Sequence, residues 1–215
     1  MLQYHGSQMI VDHPEFGKGN AFNDYGPGFY CTEHIDLARE WACKDISGGY
    51  VNSYSFVHDG LKTLNLNQYT VLHWLALLVH NRRFRLTSEL MAEGEAWLED
   101  KYLLDISNYD VIIGYRADDS YFRFARAFLQ NSLSLEVLDQ AMHLGELGEQ
   151  VVLVSPEAFQ NISFQNAEWV DGSTFYQRRL ERDRLAREQF VTIQRESSSN
   201  GVFLMDLLRG EVALP

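Results

Sequence analysis

The spacing of apolar positions changes period several times along the chain, and those changes divide it into strands and helices. Residues 2–7 read as a short strand running into Gly6, and Phe29-Tyr30-Cys31-Thr32 as a short β-prone run. Between them, Asp12 to Gly28 is punctuated by Gly, Asn and Pro and predicts an irregular loop. Ile35, Leu37, Ala38, Trp41 and Ala42 fall at helical spacings, so Glu33 to Lys44 predicts a helix with Thr32 as its cap. Val51 to Val57 alternates, as a half-buried strand does, and Leu61 to Leu66 is expected to extend it or pair with it.

The second half switches between the same two patterns. Tyr69 to Phe84 predicts a helix with a wide apolar face through Leu72, Leu75, Ala76 and Val79, and Ser88 to Leu98 a second. Asp110 to Gly114 reads as a short buried strand, followed by helices over 119–130 and 134–144, the latter capped by Ser134. Gln150 to Val154 and Ile162 to Val170 are further strands. From Ser173 to about Arg195 the pattern becomes a charged helix carrying Arg178, Arg179, Arg182, Arg184 and Arg187. A Ser-Ser-Ser-Asn-Gly linker and an apolar tail, Val202 to Leu208, follow it. Strands mixed irregularly with helices predict an α+β fold rather than a regular βαβ series. The division expected is a main domain over 1–170 and a charged helix with tail over 171–215.

Composition narrows the function classes. A 46% hydrophobic chain of 215 residues has enough apolar surface for one sizeable core. Its formal charge of −12 disfavours a phosphate backbone as partner, leaving proteins or small molecules ahead of nucleic acid. Val71 to Val79 is the most apolar stretch and falls far short of the ~20 residues of a membrane span. With no leader pattern at Met1-Leu2-Gln3-Tyr4-His5, a cytoplasmic setting is the default; leaderless export as an effector is compatible with the same sequence. Cys31 and Cys43 are expected as buried thiols rather than a disulfide.

Common catalytic signatures fail. Gly26-Pro27-Gly28 lacks the third glycine of a dinucleotide fingerprint, Lys18 has no phosphate-loop context, and no GxSxG is present. The seven His show no metal-ligand spacing with Cys or carboxylates, so no metal is expected. Asp118-Asp119 suggests a metal carboxylate pair or, more simply, helix capping. Two segments remain. In Tyr4-His5-Gly6-Ser7 a glycine beside a strand-end His lets backbone and imidazole both approach a ligand. In Gly28-Phe29-Tyr30-Cys31-Thr32, leading to Trp41, two aromatics flank a strand-to-helix turn and are placed to clamp a flat ring.

This order of His-Gly-Ser, Gly-x-Gly-Phe-Tyr-x-Thr and a helix with Ala38 and Trp41 resembles the ADP-ribosyltransferase superfamily. It is most similar to the His-Tyr branch that includes the poly(ADP-ribose) polymerases and diphtheria toxin, and within it to a bacterial family of unassigned function. The resemblance runs over about residues 1–165, through Val51-Asn52-Ser53-Tyr54, Trp74 to Arg82, Asp110 to Asp119 and Gln150 to Phe164. It implies a split β-sandwich with flanking helices, and NAD as substrate. It further implies that His5 bonds the nicotinamide-side ribose, that the Gly6 backbone binds the carboxamide with Ser7 close by, and that Tyr30 and Trp41 stack on the nicotinamide. Thr32 belongs to the same segment.

Transferases of this branch place a Glu on a later strand, against the ribose 2′-hydroxyl. Here that strand opens Glu149-Gln150, and period-2 alternation turns the two to opposite faces. Aligning the apolar run favours Gln150, which brings no charge; Glu149 facing inward would restore the carboxylate. The activity implied is mono-ADP-ribosyl transfer with release of nicotinamide. NAD glycohydrolysis and a decayed module that binds NAD or ADP-ribose are the alternatives. An antitoxin, or self-association through the charged helix, is compatible with the same features.

Overall fold

The computed structural model describes residues 1–83, 85–116, 119–142, 148–196 and 201–212. The fold is α+β, built on two sheets. β1 (Leu2–Ser7), β3 (Gly49–Phe56) and β7 (Ile162–Val170) form an antiparallel three-stranded sheet with β3 in the centre. β2 (Phe29–Cys31), β6 (Glu149–Leu153), β5 (Val111–Tyr115) and β4 (Thr63–Asn65) form the second sheet, in that order.

Two of the expected strands behave differently from the sequence pattern. β3 is buried on both faces from Val51 to Tyr54, not half-buried, because it is the central strand and α1 (Ile35–Ala42) covers one side of it. β4 neither extends β3 nor pairs with it. It lies parallel to β5, with Leu64 opposite Ile112, a pairing between segments far apart in sequence that local alternation cannot reveal.

The sheets face each other across Phe29, Cys31, Tyr54, Phe56, Val151 and Leu153. Burial pushes the Cys31 thiol well above its ordinary value, and both cysteines are unpaired. A larger core lies between the second sheet and a layer of helices: α2 (Val71–Asn81), α3 (Glu89–Tyr102), α4 (Asp119–Leu129) and α5 (Leu135–Met142). Trp74, Leu75, Phe124 and Phe128 are fully buried there. At about 1.5–3 kcal/mol for each large apolar side chain removed from water, this layer is the main source of stability.

Helix ends shift for identifiable reasons. Thr32 does not cap α1; its hydroxyl accepts the His34 N–H at 3.2 Å, so the chain turns once more and His34 becomes the cap residue. α2 starts at Val71, after a 3-10 turn over Leu66–Gln68, and stops at Asn81, whose side-chain amide donates to the Leu77 carbonyl. α3, expected over Ser88 to Leu98, is capped by Ser88 and runs on to Tyr102. Ser134 accepts the Val137 N–H at the start of α5. The residues 143–144 expected to end that helix, and Asp118, lie outside the described residues, while Asp119 begins α4.

Two helices carry no clear advance signal. α6 (Pro156–Gln160) is a short turn capped by Ser155, and α8 (Leu204–Arg209) folds the apolar tail so that Leu204 and Leu207 are buried. The charged helix α7 (Gly172–Glu196) packs one edge on the body of the protein. Arg182 donates from Nε to Glu40 of α1 at 2.8 Å, and Phe190 stacks on Phe124 with ring centroids 4.1 Å apart. No helix among the described residues is long and apolar enough to cross a membrane.

Candidate functional site

The two sheets touch edge to edge at one bridge. Tyr4 N donates to Thr32 O at 2.8 Å, and Thr32 N donates back to Tyr4 O at 2.9 Å. Beyond that point β1 follows β3 and β2 follows β6, so the strands diverge and open a cavity of about 680 Å³. That volume lies in the ~300–1,000 Å³ range of small-molecule sites. His5, Gly6, Tyr30, Trp41 and Gln150 all line it, so the structure brings together the two segments singled out in the sequence.

Gly6 matters for both packing and exposure. A Cβ there would lie 2.1 Å from the Ala38 carbonyl oxygen and 2.6 Å from Ala42 N, so α1 rests directly on the backbone of β1. Two residues along from Tyr4, Gly6 turns its N–H and C=O to the same edge, where β2 has already diverged. Among the described residues no backbone group pairs with them there, so both face the opening.

The imidazole of His5 is fixed by Tyr30. Its Nδ1 lies 2.7 Å from the Tyr30 carbonyl oxygen, and a carbonyl only accepts, so Nδ1 carries the proton. Burial lowers the pKa of His5, against a smaller upward pull from that hydrogen bond, and favours the neutral ring. Nε2 is then an acceptor. The Phe29 ring, 4.5 Å away and tilted by 33°, supports the imidazole from the side.

The Tyr30 hydroxyl is committed elsewhere. It donates to the Gly26 carbonyl at 2.7 Å and accepts the Tyr25 N–H at 3.0 Å. Burial pushes its pKa well up, so Tyr30 offers the cavity a ring and not a proton. Gly26 has a φ of +75°, which a glycine adopts without strain and which turns its carbonyl back to that phenol.

Gln150 and Glu149 separate as alternation requires. Gln150 is buried in the cavity wall, whereas Glu149 is exposed on the other face, accepts from Asn67 Nδ2, and is not part of the lining. The Gln150 amide nitrogen donates to Asp24 Oδ2 at 3.0 Å and to the Tyr115 carbonyl at 3.2 Å. Asp24 is itself a lining residue, 5% exposed, and Arg82 Nε approaches its other oxygen at 3.3 Å. A carboxylate thus sits in the cavity wall, supplied by the loop before β2. Sequence reasoning missed Asp24 because nothing local marks one loop aspartate among several. A partial signal was the neighbouring Tyr25, whose buried ring anchors an otherwise Gly- and Asn-rich loop.

Trp41 lines the cavity with the Arg116 guanidinium over its ring, 4.4 Å from the centroid. Ser7 and Thr32 lie outside the lining. Ser7 donates to the Met9 carbonyl and receives Asn52 Nδ2 at 3.4 Å, while Thr32 is buried beneath the start of α1. Neither is placed to touch a ligand in the cavity. Asp119 starts α4, and among the described residues no group of three or more His, Cys, Asp or Glu is arranged to hold a metal ion.

The model of one protein family, described as "Protein of unknown function (DUF3990)", matches residues 1–164, and the chain belongs to that family. The matched span takes in every cavity residue described so far and stops short of α7. No curated protein and no solved structure matches the chain.

Proposed function

We propose that this protein is an NAD-dependent mono-ADP-ribosyltransferase, with the two-sheet split as the ADP-ribosyltransferase-type site. The observation that carries the reading is the His5–Tyr30 pair at the divergence of β1 and β2. A neutral imidazole with Nε2 as acceptor suits a ribose hydroxyl. The open backbone edge of Gly6 suits a carboxamide, which both donates and accepts. The rings of Tyr30 and Trp41 suit a flat heterocycle, Trp41 once Arg116 shifts from its face.

The chemistry asked of such a site is the opening of the nicotinamide–ribose bond. The bond's electron pair leaves on the ring nitrogen, positive charge develops at the ribose carbon, and the acceptor adds there and gives up a proton. Fixed dipoles and a negative charge beside that carbon lower the barrier. Asp24, held by Gln150 and Arg82, supplies that charge in this reading, so the Gln at the position of the usual Glu does not disarm the site.

Incubation with NAD labelled in the nicotinamide tests the assignment. Release of free nicotinamide is expected, and its loss in His5→Ala. Label in the ADP-ribose part then separates transfer to a macromolecule or small acceptor from glycohydrolysis. NAD binding without any release would instead favour the decayed-module reading, for which the uncharged Gln150 is the supporting feature.

A further inference from the structure

The cavity is cationic in a chain of net charge −12. Three of its positive groups have partners: Lys18 lies 3.9 Å from Glu15, Arg82 faces Asp24, and Arg116 covers Trp41. The other two, Lys44 and Arg179, lie at the α1–α7 side of the opening.

Arg179 stands apart from the arginines around it. Arg182 pairs with Glu40, Arg184 with Glu181 and Glu188, Arg187 with Asp183, and Arg178 lies over the Phe175 ring at 5.0 Å. Arg179 and Lys44 have no acidic partner among the described residues. The Glu40–Arg182 pair sets the register between the helices. Arg179 lies one turn before Arg182 on α7, Lys44 follows two residues after the end of α1, and both line the same opening. Burial and the charge of Asp171 push the Cys43 thiol up and the field of Arg179 opposes them, as a guanidinium close to the residue before Lys44 would.

The nearby carboxylates accept hydrogen bonds within their own turns and pair with neither cation. Asp45 accepts from Ser47 N at 2.8 Å, and Asp171 accepts from Ser173 N at 2.9 Å and from Thr174 at 3.3 Å. Two like charges at one mouth repel each other unless an anion lies between them.

We infer that Lys44 and Arg179 form the subsite for an organic diphosphate, so that the C-terminal helix α7 completes a ligand site lying otherwise within residues 1–164. The inference rests on the NAD reading for the identity of that diphosphate. A planar guanidinium binds phosphate oxygens in pairs, and the lysine adds a point charge on a flexible stem.

Calorimetric titration of the full chain with NAD, ADP-ribose, nicotinamide riboside and inorganic pyrophosphate tests this, using Arg179→Gln, Lys44→Gln and the double variant. Each single change should weaken NAD and ADP-ribose about tenfold and leave nicotinamide riboside unchanged. The double variant should also flatten the dependence of NAD affinity on salt. Unchanged NAD binding in the double variant overturns the subsite while leaving the NAD reading intact. If the wild type binds no nucleotide, the NAD reading fails. Pyrophosphate then decides separately: binding that the double variant loses supports the anion site, and no pyrophosphate binding overturns it.

Discussion

His5 Nδ1 donates to the carbonyl oxygen of Tyr30 across 2.7 Å, and this bond selects the tautomer of the one His that lines the cavity among the described residues. The ring is left with Nε2 as an acceptor, and burial lowers its pKa below the ordinary value of 6.5. The folded chain therefore takes up this proton later than the unfolded chain does. Stability linked to His5 is complete above about pH 6.5 and is lost as pH falls from there through the folded pKa. A ¹⁵N-resolved NMR titration should find the Nδ1–H tautomer and a midpoint below 6.5. An Nε2–H tautomer, or a midpoint at or above that value, would contradict the geometry.

Asp24→Asn retains the shape of the side chain and removes the charge. Nicotinamide release should fall by about a hundredfold or more, the scale seen when one electrostatic stabiliser is deleted, with NAD affinity within a few-fold of wild type. The double variant Asp24→Asn/Gln150→Glu moves the carboxylate across the same hydrogen bond and should recover part of the rate. A wild-type rate in Asp24→Asn would leave that carboxylate a purely structural partner of Arg82.

Glu149→Gln, by contrast, should leave nicotinamide release unchanged, because Glu149 bonds Asn67 on the outer face of β6. A large loss of rate in this variant would mean that β6 presents its other face to the reaction.

Gly6→Ala places a methyl carbon against the Ala38 carbonyl and Ala42 N. Separating β1 from α1 should cost about 1–3 kcal/mol and displace Trp41. Denaturant titration reads the first effect and the fluorescence of NAD-titrated protein the second. A variant as stable as wild type would show that the helix yields without cost.

Phe190→Ala removes a ring stacked on Phe124, at the far end of α7 from the cavity. If the charged helix is part of the core, the cost should approach 3 kcal/mol, a fall in Tm of roughly 6–12 °C for a chain of this size. No change in the thermal midpoint would mean that α7 is a detached arm.

Much of the candidate site's lining was legible because its parts are local. His5 beside Gly6, and Tyr30 between Gly28 and the helix of Trp41, each lie in short segments whose spacing survives folding unchanged. Alternation separated Gln150 from Glu149, and the apolar run that follows pointed to Gln150 as the inward one, since β6 is regular along its length. The parts that escaped depend on distant chain. β4 finds β5 through parallel pairing, Asp24 enters the wall only because Gln150 and Arg82 hold it, and Arg179 reaches the mouth through the Arg182–Glu40 contact. No window of sequence contains both partners of any of these. Ser7 and Thr32 belong to the same two segments, but their hydroxyls satisfy nearby backbone groups and neither lines the cavity.

A crystal structure of the protein with NAD tests the central claim most directly. It should place the nicotinamide between Tyr30 and Trp41, its carboxamide on the Gly6 backbone and a ribose hydroxyl on His5 Nε2. Density for NAD elsewhere on the protein, or a saturated complex in which His5 and Tyr30 touch no part of the nucleotide, would contradict it.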